Sequence, residues 1–108
     1  MKKWVATVMM VVGVSGLALA DQASVEITIK NHQFSPAEVK IPANTRVKLI
    51  VSNEDATAEE FEGEDFKAEK VIAGNSKATI MVGPFKPGRY EFVGEFHEDT
   101  AKGELVVE

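Results

Sequence analysis

The chain has 108 residues, a formal net charge of −5 and no cysteine. That acidic balance gives no electrostatic pull toward nucleic acid or anionic lipid, and it favours cationic partners, metal ions among them. With no disulfide available, packing alone must hold a small core together.

Residues 1–20, MKKWVATVMMVVGVSGLALA, place two lysines before an apolar run that ends in Ala18-Leu19-Ala20. This is the three-part pattern of a secretory signal peptide, with cleavage expected after Ala20. The apolar run is too short and too broken by Gly and Ser to read as a membrane span. The expected organisation is therefore a leader at 1–20 and one domain at 21–108. Losing Lys2 and Lys3 leaves ten basic groups against 17 acidic ones, a net charge of −7. An exported protein without disulfides is compatible with a bacterial periplasm. The expected location is periplasmic, with no membrane insertion after cleavage and no nucleic-acid partner.

SVEITIKN alternates apolar Val25, Ile27 and Ile29 with polar neighbours, which reads as a half-buried strand. HQFSP interrupts it. In AEVKIPANTRVKLIVSN, Val39 and Ile41 precede the turn PANT, and Val47, Leu49 and Val51 follow it. The acidic stretch from Glu54 to Glu69 is anchored by Phe61 and Phe66, with a short helical turn expected near Asp65–Glu69. KVIAGNSKATIMVG gives two short strands around AGNS, with Met81 expected in the core. PFKPG is a turn, and RYEFVG and GELVVE are the last strands. Short strands at this spacing predict an all-β, Greek-key antiparallel β-sandwich.

Strand direction places the candidate site. If the first strand runs upward, the loop with His32 lies at the top. The third strand climbs to Asn53, so the acidic loop also starts there. If Arg89–Val93 climbs too, GEFHEDTAK joins them. His32, the Glu59–Glu62 cluster, Glu95, His97 and Asp99 then gather at one pole. Glu59 shares strand parity with Phe61 and points inward if Phe61 is core. Glu95 has the parity of His97 under the same rule. Glu54, Asp55, Glu64 and Asp65 read as solvated acids, and Glu69, before Lys70, as an ion-pair partner rather than a late ligand. No phosphate loop, nucleophile–base pair or zinc motif is present.

FSPAEVKIPANTRVKLIVSN and PGRYEFVGEFHEDTAKGELVV resemble the opening and closing motifs of the cupredoxins, single-domain sandwiches of the blue copper proteins. Within that family, EEFEGEDFKAEKVI and GEFHEDTAKGELVVE resemble the EfeO-type and Ftr-permease-associated proteins of periplasmic iron uptake. The resemblance puts the family's cysteine at Gly94 and its second histidine at His97. The first histidine falls at Glu59, or at Glu60 if the loop shifts by one. The methionine position, near Thr100–Lys102, has no methionine. A ligand set without thiolate favours Fe(II), Fe(III), Mn(II) or non-blue Cu(II). The metal candidates are His97, Glu59, Glu95, Glu62 and His32, with no catalytic residue assigned. The implied function is a metal-binding accessory protein that delivers iron, or non-blue copper, to a membrane iron permease or another uptake component. Two alternatives stay open: a copper-dependent ferroxidase component and a metal-free interaction module.

Overall fold

A computed structural model describes residues 23–108. The expected leader lies outside the described residues. Among the described residues, nine strands form two sheets. The strands are β1 (Ala23–Lys30), β2 (Gln33–Ser35), β3 (Glu38–Ile41), β4 (Val47–Asn53), β5 (Glu59–Gly63), β6 (Ala68–Ile72), β7 (Ser76–Val82), β8 (Gly88–Gly94) and β9 (Lys102–Val107). One sheet has the order β2-β1-β4-β7 and the other β3-β9-β8-β5-β6. One turn of 3-10 helix, η1 (Glu95–His97), follows β8.

The sandwich follows from side-chain alternation. In β4 every second residue is buried, and Val47, Leu49 and Val51 face the second sheet. In β5 Glu59, Phe61 and Gly63 are buried while Glu60 and Glu62 face outward. Phe34, Phe61 and Phe92 knit the two sheets together. The Phe61 and Phe92 rings stack at 4.9 Å, and Phe34 meets both edge-on at 6.0 and 4.9 Å. Burying each such ring contributes roughly 1.5–3 kcal/mol.

The all-β sandwich matches the sequence reading, but its sheets are mixed. β1 pairs with β4 and β3 with β9 in parallel. The expected helical turn near Asp65 is a plain turn, with the Lys67 amide donating to the Glu64 carbonyl at 3.3 Å. Met81 is exposed on the outer face of β7 rather than in the core. Its neighbours Ile80 and Val82 take the inward positions.

The parallel pairing of β1 and β4 brings Ile29 beside Asn53, so both strands end at one pole. There the chain crosses to the second sheet and enters β5. β5 runs antiparallel to β8, with Phe61 opposite Gly94, so the start of β5 meets the end of β8 at the same pole.

Candidate metal centre

Three short segments deliver the site: the β1–β2 turn with His32, the first residue of β5, Glu59, and η1 with His97. One donor atom from each of these side chains lies within 4.8 Å of the others.

Glu59 is a carboxylate inside the sandwich, with a side chain 1% exposed. Burying a carboxyl group is costly unless its oxygens find hydrogen-bonding partners. Here both oxygens have them. Oε1 accepts the amide hydrogens of Glu60 at 3.0 Å and Phe96 at 2.9 Å. Oε2 lies 2.7 Å from Nδ1 of His97. The loop carrying His97 is closed by its own backbone. The Gly94 amide donates to the Ala101 carbonyl, and the Ala101 amide to the His97 carbonyl, both at 2.8 Å.

His32 stacks on His97, with ring centroids 3.6 Å apart and planes 13° from parallel. It reaches this place through an uncommon backbone. Asn31 and His32 both have positive φ, 53° and 58°, a region that costs a non-glycine residue roughly 1–2 kcal/mol. Asp55 holds the turn. Its Oδ1 accepts the Asn31 amide at 2.8 Å and its Oδ2 the His32 amide at 2.9 Å. Oδ2 also lies 3.4 Å from Nδ1 of His32. The His32 amide bond keeps the Asp55 carboxyl below its ordinary value, against an opposing effect of burial. Asn53 fixes Asp55 in turn. Its Oδ1 accepts the Asp55 amide at 3.0 Å, and its Nδ2 donates to the carbonyls of Thr57, Ile72 and Ala73.

Of the residues singled out from sequence, the structure gathers His97, Glu59 and His32. Strand parity, which predicts Glu59 inward, selects it over Glu60, which faces out. Glu62 and Glu95 stand elsewhere, on the outer face of the second sheet. There a hydrogen bond between their side chains, then burial and their mutual charge, push the Glu62 carboxyl up to about 7. Glu95 does not share a face with His97 because η1 is helical there, and period-2 parity ends at Gly94. Glu69 meets Glu60 on that outer face, where their hydrogen bond raises the Glu60 carboxyl. Asp99 is exposed. Asp55, expected to be solvated, is the clamp of the His32 turn. The signal in the sequence was the spacing of Asn53 and Asp55 at a strand end, a local pattern in which an Asn side chain caps the amide two residues on.

The thiolate-centred copper site of the resembled family does not fit these residues. A Cβ added to Gly94 would stand 2.6 Å from Cδ and 2.7 Å from Oε2 of Glu59, and 2.7 Å from Cβ of Ala101. The carboxylate fills the space a cysteine there would need. The donors present are imidazole and carboxylate, a set for borderline and harder ions.

Several comparisons agree on the fold. The metal-binding domain of the Cu(I)-exporting P-type ATPase CopA of Streptococcus pneumoniae D39, solved with Cu(I), superposes with a TM-score of 0.67 at 17% identity, over 79% of this chain and 84% of that one. Auracyanin A, a blue copper protein of Chloroflexus aurantiacus, gives 0.67 at 16% identity, over 82% and 100%. An uncharacterised protein of Rickettsia prowazekii (strain Madrid E) is 46% identical over 83 residues, and the match spans 77% of this chain and 66% of that protein. With residues 3–107 matching the model of the cupredoxin-like domain, the chain belongs to the cupredoxin-like family.

Proposed function

We propose that the protein is an exported metal-binding accessory protein that carries iron, or copper in a non-blue site, at the pole formed by His32, Glu59 and His97. The observation that carries this reading is the convergence of those donors within 4.8 Å. They come from three segments distant in sequence, and a buried carboxylate lies directly behind the imidazoles. Metal binding by solved structures of the same fold supports it, since two of them are described with copper. Imidazole suits iron, copper and zinc, and the adjoining carboxylate shifts preference away from soft Cu(I).

The imidazoles are partly open to solvent, 42% for His32 and 29% for His97. An ion held there is exchangeable, which suits delivery to a membrane uptake component better than a closed cage does. The leader-like residues 1–20 support export to the periplasm. The test is elemental analysis of protein exported by its own leader and purified without chelator, followed by calorimetric titration with Fe(II), Mn(II) and Cu(II). Iron or copper near one equivalent, lost in His97→Ala, is the expected result. Metal-free protein that binds none of the three ions would return the chain to the interaction-module reading.

A further inference from the structure

Each imidazole of the site has a carboxylate at its Nδ1. In His97 it is Glu59 Oε2 at 2.7 Å, and in His32 it is Asp55 Oδ2 at 3.4 Å. The two pairs lie side by side through the stacked rings. We infer that Glu59 and Asp55 are positioning residues and not ligands, and that the metal is held by the two Nε2 atoms of His32 and His97. This rests on the metal-binding reading above and divides the labour within it.

The argument begins with occupancy of the carboxylates. Both oxygens of Glu59 are already engaged: Oε1 accepts from two backbone amides, and Oε2 lies within hydrogen-bond distance of Nδ1 of His97. The side chain sits beneath the rings at 1% exposure, so an ion arriving from solvent meets imidazole first. The separation of 2.7 Å is the length of a charge-assisted hydrogen bond. Two donors sharing one ion at about 2.0–2.2 Å each, at a tetrahedral angle, would stand farther apart. With Oε2 as the acceptor of this bond, Nδ1 carries the hydrogen and Nε2 keeps its lone pair for a metal. Asp55 is occupied in the same way by the Asn31 and His32 amides. It also holds the His32 turn, whose positive φ is uncommon for a non-glycine residue. Each lone pair lies in its own ring plane, so one ion binding both Nε2 atoms requires the stacked rings to splay from their 13° alignment.

The experiment is nitrogen NMR of 15N-histidine protein, read through long-range couplings to the ring protons, before and after one equivalent of Zn(II). The metal-free protein is expected to show His97 with its proton on Nδ1. Zn(II) is expected to move the Nε2 resonances of His32 and His97 and to leave the Nδ1 proton of His97 in place. Glu59→Gln, with Glu59→Asp as a second variant should Gln fail to fold, is expected to weaken Zn(II) about 10–100-fold while the metal stays on Nε2. Loss of the Nδ1 proton of His97, with its Nδ1 resonance moving on Zn(II), would overturn this inference and leave the metal-binding reading standing. No change at either imidazole would overturn both.

Discussion

Strand β5 has two faces, and each carries a glutamate within reach of residues at the end of β8. On the inner face, Glu59 meets His97 and two backbone amides. On the outer face, Glu62 meets Glu95, another acid. The residue type is the same and the two positions are three apart, yet the sheet between them separates their chemistry. Inside, a carboxylate is buried with donors on both oxygens and organises an imidazole. Outside, the neighbouring Glu95 carboxyl holds the Glu62 carboxyl above its ordinary value. Acid density alone therefore does not mark the site. What marks it is an acid whose hydrogen-bond partners are all supplied by the fold.

The comparison is tested most severely from the inner face. Phe61→Ala removes the buried ring that packs against Phe34 and Phe92 and should destabilise the fold by about 3–5 kcal/mol in chemical denaturation. Gly94→Ala should cost about 1–3 kcal/mol, because the added methyl group meets the Glu59 carboxylate and Ala101. A neutral result there would mean that Glu59 does not fill that space. His97→Ala should leave the fold intact and weaken metal binding about tenfold or more, which corresponds to roughly 1.4 kcal/mol, read by calorimetric titration.

The outer face gives the smallest effect, and its sign depends on pH. The folded-state pKa of Glu62 is raised from 4.5 to about 7, so the folded protein holds that proton more tightly than the unfolded chain does. Its contribution to stability is fully present below 4.5 and is lost as pH rises through about 7. Glu62→Gln cannot ionise. Relative to the wild type, its melting temperature should rise between about pH 4.5 and 7 and level off above 7, with metal affinity unchanged. A Glu62→Gln variant that lost metal would move the site to the outer face and undo the comparison.

Much of this was legible in the sequence. Alternation in SVEITIKN and VKLIVSN gives the strands, and their directions place His32, Glu59 and His97 at one pole. Parity with Phe61 turns Glu59 inward. The remainder depended on physics that alternation does not carry. Parity is blind to pairing direction, so the parallel pairing of β1 with β4 was not visible. It also ends where a strand ends, which is why Glu95 was misplaced beside His97 when η1 turns it toward Glu62. Asp55 was hidden for another reason. Its role depends on two consecutive residues of positive φ, Asn31 and His32, whose amides converge on one carboxylate 24 and 23 residues away along the chain.

The central claim is that metal binds on the inner side of β5, at the two imidazoles of His32 and His97. Electron paramagnetic resonance of the protein with one equivalent of Cu(II) tests it most directly, in wild type, in the double variant His32→Ala/His97→Ala and in Glu62→Gln/Glu95→Gln. The account predicts nitrogen hyperfine structure in the wild type without the intense visible absorption of a copper–thiolate bond. That structure should survive in the outer-face double variant and vanish in the histidine double variant. Spectra that are the same in wild type and the histidine double variant, or nitrogen structure lost only when Glu62 and Glu95 are changed, would contradict it.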